Sequence, residues 1–178
     1  IGNAIMNRLI KAAGHQIIEA EEIKKLQKYR RILFVSNSDN CRGPMAAEIL
    51  HNQPLLQEYE VDSRGMIVLF PEPANQKAEA IMKSQQMTLE SHEATPFSEK
   101  DLDDDTLVLT LEEPYKWKIV SEYENVKNVF TLNEYIEDDR QVLCTHGQPL
   151  VAYGENFELL KELILKLAEK LNKEAKKE

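Results

Sequence analysis

The residues from Ser36 to Arg42 have the types and spacing of a loop that binds a phosphate or sulfate ion. They follow the apolar run Ile32–Val35 and precede Gly43 and Pro44, and proline is well tolerated in the first turn of a helix. Successive backbone N–H groups in a turn that opens a helix form a nest for an anion, and the helix dipole strengthens it. Arg42 can hold two oxygens of such an ion with its planar guanidinium. The alternative is an ordinary polar turn in which Arg42 pairs with a surface carboxylate.

The segments around this loop alternate between predicted strands and predicted helices. Short apolar runs predict strands over Ile32–Val35, Tyr59–Asp62, Thr106–Thr110 and Asn128–Leu132. Helical spacing and capping signals predict helices over Met45–Asn52, Ala74–Ser84, Ser98–Leu102, Glu113–Glu122 and Glu155–Leu171. This alternation favours an α/β fold: a four-stranded, doubly wound parallel sheet with helices on both faces. In such a sheet, ligands bind where the first strand turns into a helix.

The N-terminal residues predict a helical leader ahead of this domain. Apolar residues at helical spacing run from Asn3 to Ala13, and Gly14 is placed to end that helix. A second segment, Glu19–Arg31, begins with acidic residues and ends with basic ones, which is the order that a helix dipole favours. We expect residues 1–30 to be a leader or the end of a preceding segment, and residues 31–178 to form the domain.

Composition argues against several classes of protein. The chain has 178 residues, with 22 Lys and Arg against 31 Asp and Glu, for a net charge of -9. This balance argues against binding to nucleic acid or to a membrane surface through a general basic face. No apolar run approaches the ~18 residues that span a bilayer. The two cysteines lack paired spacing and suggest neither a disulfide framework nor a zinc site. We therefore expect a cytoplasmic protein without a metal or cofactor.

The loop and its flanks resemble a known signature. Ile32–Leu50 reads ILFVSNSDNCRGPMAAEIL, and it resembles the low-molecular-weight protein tyrosine phosphatases, whose signature is a strand, Cys-x5-Arg-Ser-Pro and a helix that begins Met-Ala. The resemblance continues at Val61–Gly65, Pro73–Ala78, Thr106–Thr110 and Val129–Tyr135. The last two segments look most like the bacterial branch that includes protein arginine phosphatases. The resemblance covers essentially the whole predicted domain and implies the same α/β fold.

The resemblance implies a double displacement through a cysteinyl-phosphate. In the family a thiolate attacks phosphorus, the loop amides and an arginine hold the oxygens, and an aspartic acid in an Asp-Pro segment protonates the leaving group. By position, Ser36 stands at the nucleophile, Arg42 at the arginine and Gln148 at the general acid. The phosphate-binding residues would be Asn37, Ser38, Asp39, Asn40, Cys41 and Arg42.

Four positions depart from the family pattern. The hydroxyl of Ser36 is far less acidic than a thiol and needs an adjacent base, which no histidine nearby in sequence supplies. Asp39 replaces an asparagine; it tolerates the left-handed conformation, but its charge would oppose a phosphate dianion. Gly43 replaces a serine that supports the thiolate. Gln148 cannot donate a proton as an acid.

These departures leave three functions open. We expect a degenerate member of the family that binds phosphate, sulfate or a phosphorylated side chain with little turnover. The alternative is an active tyrosine or arginine phosphatase in which Ser36 is engineered or the nucleophile is unrecognised. Asp138 and Asp139 lie about ten residues before Gln148, a displacement that argues against either one replacing the acid. The third function is protein interaction through residues 1–31, with a vestigial loop.

Overall fold

The first predicted strand lies at the centre of the sheet. In the computed structural model, which describes residues 27–177, β1 (Arg31–Ser36) pairs in parallel with β2 (Glu60–Gly65) and with β3 (Thr106–Thr110). β4 (Val129–Thr131) pairs with β3, which completes a four-stranded sheet in the order β2-β1-β3-β4. The apolar run of β1 and all of β3 are buried, because a central strand of a parallel sheet is covered on both faces.

Helices pack on both faces of this sheet, so the predicted fold class is confirmed. The helices are α1 (Arg42–His51), α2 (Gln76–Ser84), α3 (Glu113–Glu122), α4 (Leu132–Ile136) and α5 (Leu150–Ala175), with a short 3-10 helix over Glu99–Asp101. Alternate side chains of β1 point to opposite faces. Ile32 and Phe34 join the larger apolar cluster, to which α1, α2, α4 and α5 contribute. Leu33 and Val35 join a smaller cluster with Ile119 of α3.

The part of the predicted leader that the structure describes is not helical. Residues 27–30 are irregular, although the sequence predicts that the helix continues to Arg31. Tyr29 is buried in the core, and the N–H groups of Arg30 and Arg31 donate to the carbonyl of Asp105 at 2.9 and 3.2 Å. This segment therefore leads directly into the sheet. The expectations for residues 1–26, including a partner-binding role, lie outside the described residues.

The start of α5 and the presence of α4 also differ from the sequence-based prediction. α5 begins at Leu150 after Pro149, five residues ahead of the predicted start at Glu155. α4 is a single turn that the sequence analysis assigned no helix. Its first turn is a capping box, in which the Thr131 hydroxyl accepts from the N–H of Glu134 at 3.0 Å and the Glu134 carboxylate accepts from the N–H of Thr131 at 3.3 Å.

The sheet order places the β1–α1 loop at a topological switch point. β1 has β2 on one side and β3 on the other. The chain connections that follow these strands therefore diverge and leave a crevice at the carboxyl end of β1. The loop predicted to bind an anion opens into that crevice. Within residues 27–177, none of the helices has the length and apolar character needed to cross a membrane.

Candidate active site

The β1–α1 loop is held in place through its carbonyl groups. The carbonyls of Ser36 and Asn37 accept from the N–H groups of Met66 and Ile67 at 2.9 and 2.8 Å. The carbonyl of Asn40 accepts from the N–H of Asn75 at 2.7 Å, and that of Asp39 accepts from Nε2 of His92 at 2.5 Å. In a trans peptide the carbonyl and the following N–H point in opposite directions, so these amides turn to the inner side of the loop. Across the described chain, no N–H group of residues 37–41 donates to another backbone carbonyl. The loop therefore presents a set of unpaired amides, which is the geometry that the predicted anion nest requires.

The start of α1 adds to this nest. Cys41 is the N-cap residue and makes no side-chain capping hydrogen bond, while the N–H of Met45 donates to the carbonyl of Cys41 at 3.0 Å. The helix of 10 residues therefore begins with uncapped N–H groups in its first turn. Together with the helix dipole, these groups favour a bound anion.

A cavity of about 350 Å³ opens at this end of α1. The loop lines one wall, through Ser36, Asn37, Ser38, Asn40, Cys41 and Arg42. The other wall comes from two later segments, through Glu72, Asn75, Cys144, Thr145, His146 and Tyr153. The structure thus brings together every predicted phosphate-binding residue except Asp39, whose side chain lies elsewhere.

Arg42 lines the cavity and is also paired with a carboxylate. It is 5% exposed, and its Nη1 donates to the carbonyl of Val142 at 2.9 Å and contacts Oε1 of Glu112 at 2.5 Å. The sequence left two interpretations of Arg42 open. The structure shows the pair with a carboxylate, and it places Arg42 on the cavity wall, where an anion ligand would also have to lie. A bound anion would share the guanidinium with Glu112, whose side chain is 35% exposed.

Asp39 lies behind the loop and not in the cavity. It has the left-handed conformation that its predicted role requires, with φ of 53°. Its Oδ2 accepts the N–H of Thr95 at 2.9 Å, whereas its Oδ1 has no hydrogen-bond partner among the described residues. Burial raises the pKa of Asp39 above the usual carboxylate range, although Ser63, Thr95, His92 and Arg64 act to lower it. Asp39 therefore shapes the turn of the loop, and its side chain lies behind the cavity wall.

The residue predicted at the general-acid position lies outside the cavity lining. Gln148 is exposed, its N–H donates to the carbonyl of Thr145 at 2.8 Å, and its carbonyl accepts from Nζ of Lys77 at 2.6 Å. Because α5 begins at Leu150, the preceding loop meets the cavity earlier in the sequence than predicted. Cys144, Thr145 and His146 occupy that wall.

The two aspartates of the same loop do not line the cavity either. Hydrogen bonds from Arg140 and Lys166 hold the pKa of Asp138 well below its usual range, so this carboxyl group is a poor proton donor. Asp139 lines a different cavity, beside α3 and α4. Neither residue replaces an acid at this site.

The sequence analysis missed the second wall of the cavity. Tyr153 carries the signal that could have found it, because Tyr153, Phe157 and Leu160 extend the buried stripe of α5 by two turns toward the N-terminus. A helix placed on that longer stripe would have brought Cys144 and His146 to the sheet edge.

Cys41 is a partly buried thiol with a raised pKa. Burial raises its pKa to about 11, and its Sγ lies 4.0 Å from Oγ1 of Thr145. This environment supports the packing role expected for Cys41. In the stretch 27–177, no group of three or more His, Cys, Asp or Glu side chains is placed to hold a metal ion.

Comparisons with known proteins agree with this geometry. The sequence profile of the low molecular weight phosphotyrosine protein phosphatases matches residues 31–178. The protein-arginine-phosphatase of Geobacillus stearothermophilus is 32% identical over 146 residues, which cover 81% of this chain and 97% of that protein. The solved low molecular weight protein tyrosine phosphatase from T. tengcongensis has 33% identity and a TM-score of 0.74, over 79% of this chain and 99% of its own.

A third relative carries a serine at its active site. It is the cysteine-to-serine mutant of the YwlE arginine phosphatase, solved with a phosphorylated active-site serine, at 28% identity and a TM-score of 0.72. The two chains align over 79% of this chain and 95% of the mutant. The profile match and the relatives agree with the doubly wound sheet and with the loop of unpaired amides after β1. The chain therefore belongs to the low molecular weight phosphotyrosine protein phosphatase family.

Proposed function

We propose that the chain binds the phosphoryl group of a phosphorylated protein side chain in this cavity and transfers that group to Ser36. The single observation that carries the proposal is the meeting of the unpaired amides of residues 37–41, the Arg42 guanidinium and Ser36 at the start of α1. The relatives described above are tyrosine and arginine phosphatases by name. Phosphotyrosine and phosphoarginine are therefore the substrates we propose.

The transfer is a displacement at phosphorus. Oγ of Ser36 bonds to phosphorus, the bond from phosphorus to the tyrosine oxygen or arginine nitrogen breaks, and the leaving atom takes up a proton. The loop amides and Arg42 stabilise the charge on the three remaining phosphate oxygens. His146 lies on the facing wall, and an imidazole there can supply the proton to the leaving atom.

The second step, hydrolysis of phosphoserine, is expected to be slow. An alkoxide is a poorer leaving group than a thiolate, so Ser36 should release phosphate more slowly than a family cysteine would. The phosphorylated active-site serine of the YwlE mutant supports a phosphoserine that persists in this fold. The protein would then act as a slow phosphatase or as a receptor that retains the phosphoryl group.

A second candidate function is binding without transfer. The observation that favours it is the ion pair between Arg42 and Glu112, which leaves the anion site less positive than an unpaired arginine would. In that case the cavity recognises a phosphorylated partner, and Ser36 acts only as a hydrogen-bond donor.

One experiment separates these outcomes. The protein is incubated with p-nitrophenyl phosphate, a phosphotyrosine peptide and a phosphoarginine peptide, and intact mass and released phosphate are followed over time. One phosphoryl group per chain, lost in Ser36→Ala and kept in Ser121→Ala, supports transfer; Ser121 is an exposed serine outside the cavity and is the matched control. Continued release of phosphate identifies an active phosphatase. Binding by calorimetry without labelling supports the second candidate, and the absence of both refutes the two proposals.

A further inference from the structure

The unpartnered oxygen of Asp39 lies close to Ser36. A β-carbon at Gly43 would be 3.0 Å from Oγ of Ser36 and 3.4 Å from Oδ1 of Asp39, so both oxygens border one point. Glycine places no side chain between them, and Oδ1 is buried with no hydrogen-bond partner in the described part of the chain. The two oxygens make no direct hydrogen bond, so a proton would pass between them through one water molecule in the space that Gly43 leaves.

The rest of the carboxylate is held in a fixed orientation. Oδ2 of Asp39 accepts the N–H of Thr95 at 2.9 Å and lies 3.6 Å from Nε2 of His92. The same Nε2 lies 2.5 Å from the carbonyl of Asp39, and because a carbonyl only accepts, Nε2 carries the proton. With Oδ2 occupied on that side, Oδ1 is the oxygen left to face Ser36.

We propose that Asp39 is the general base that takes the proton of Ser36 while the bond between Oγ and phosphorus forms. This inference rests on the proposed function and names the group that function requires. The Oγ–H proton passes to Oδ1, the electron pair of that bond forms the bond to phosphorus, and the bond to the leaving atom breaks. When water later attacks the phosphoserine, Oγ leaves phosphorus and takes the proton back from Asp39.

The charge state of Asp39 fits this task. Because burial raises its pKa, Asp39 binds a proton more readily than an exposed carboxylate and is the stronger base. His92 and Arg64, the titratable groups that face it, act against this rise in pKa. Transfer of the proton also neutralises a buried charge at the moment when the phosphate approaches.

Three departures from the family pattern then serve one purpose. A hydroxyl at Ser36 needs a base that a thiol does not need, and Asp39 supplies an acceptor that asparagine would lack. Gly43 leaves open the space that both oxygens border, whereas a serine side chain there would begin with a β-carbon only 3.0 Å from Oγ of Ser36. The three substitutions thus replace an ionised thiol by a hydroxyl with its own base.

The test compares Asp39→Asn in two backgrounds with two reagents. Asparagine keeps the shape and tolerates the positive φ, but it cannot accept the proton. The reagents are p-nitrophenyl phosphate and methanesulfonyl fluoride, a neutral reagent that labels activated serines by forming an Oγ–sulfur bond and releasing fluoride. We expect Asp39→Asn to slow both labelling reactions by about 10²–10⁴-fold. In Ser36→Cys, adding Asp39→Asn should leave the rate unchanged or raise it, because a thiol ionises without the base.

Asp138→Asn is the matched control, since Asp138 is a buried carboxylate that pairs with Arg140 and Lys166 and does not line the cavity. This control variant should be labelled at the parent rate. The affinity of Asp39→Asn for inorganic phosphate should be equal to that of the parent protein or higher. The parent rate should rise with pH through the raised pKa of Asp39, and Asp39→Asn should lack this rise.

These outcomes decide the proposal. If both reagents label Ser36 and the labelling is lost in Asp39→Asn, the proposed base is supported. If only the sulfonyl reagent labels Ser36 and that labelling is lost in Asp39→Asn, the base is still supported, and only the proposed phosphoryl transfer is refuted. Phosphoryl labelling at the parent rate in Asp39→Asn overturns the base and leaves the transfer intact. If Asp39→Asn lowers the labelling rate by the same factor in the Ser36→Cys background, the loss is a structural effect and the proposed base is overturned. No labelling of Ser36 by either reagent overturns both proposals.

Discussion

Replacing Glu112 with glutamine should tighten the binding of inorganic phosphate. Glu112 contacts Nη1 of Arg42 at 2.5 Å, so its carboxylate competes with the anion for the same guanidinium. Glutamine keeps an oxygen that can accept the hydrogen bond and so keeps Arg42 in position, but it removes the negative charge.

The size of the effect follows from the geometry. A phosphate oxygen would lie about 2.8 Å from the guanidinium, which places the two negative groups roughly 7 Å apart across Arg42. At an effective dielectric constant of about 20, the repulsion at that distance is about 2.4 kcal/mol per unit charge. The side chain of Glu112 is 35% exposed, and solvent screening reduces the repulsion. Taking about half of it leaves about 1.2 kcal/mol, or a decrease in Kd of roughly eightfold.

Calorimetric titration with inorganic phosphate at fixed pH and ionic strength measures this change. Glu113→Gln is the matched control, because it removes the same charge from the next residue, where Oε1 accepts from Nε1 of Trp117 at 3.1 Å and not from Arg42. Unchanged or weaker binding in Glu112→Gln would refute the idea that the anion uses Arg42. Equal tightening in both variants would show that only net charge matters.

Three other predictions concern the thiols, the core and the acid stability. Because burial raises the pKa of Cys41 to about 11, timed alkylation followed by mass spectrometry should modify exposed Cys144 first, and Cys41 should become faster only as the pH approaches that value. Phe157→Ala should lower the free energy of unfolding in urea by about 3–5 kcal/mol, because Phe157 is 1% exposed, whereas Leu165→Ala at 41% should change it far less. The pKa of Asp138 is depressed by its ion pairs, so its contribution to stability is present above the unfolded value of about 3.9 and is lost as the pH falls. The Tm of Asp138→Asn should therefore vary less with pH on the acid side, and an equal acid slope in both proteins would contradict this.

The fold was predictable because its central strands are continuous apolar runs. The runs in β1 and β3 have the length of strands and the composition of segments buried on both faces, so pattern alone identifies them. α4 was not predictable in the same way, because a capping box directly follows the three residues of β4 and the two signals overlap. Short elements whose signals share residues are where local patterns fail.

The candidate site was predictable only on its β1–α1 side. The loop sequence and its position after a buried strand are enough to predict an anion nest. The location of the Asp39 carboxylate depends on one positive φ angle and on His92 and Thr95, which are more than fifty residues away. The far wall, with His146, depends on where α5 begins. Contacts between distant segments of this kind are set by tertiary packing and leave no local pattern.

The outward turn of the loop carbonyls has a consequence for hydrogen exchange. The N–H groups of Met66, Ile67 and Asn75 donate to those carbonyls and should exchange slowly with deuterated solvent. The amides of Asn37, Ser38, Asn40 and Cys41 have no backbone acceptor within the described chain and belong to residues that line the cavity, so their exchange should be fast in the free protein. A bound oxyanion would supply the missing acceptor and slow those four amides while leaving the three donors unchanged. Exchange rates along this loop would thus report occupancy of the nest whether or not any chemistry follows.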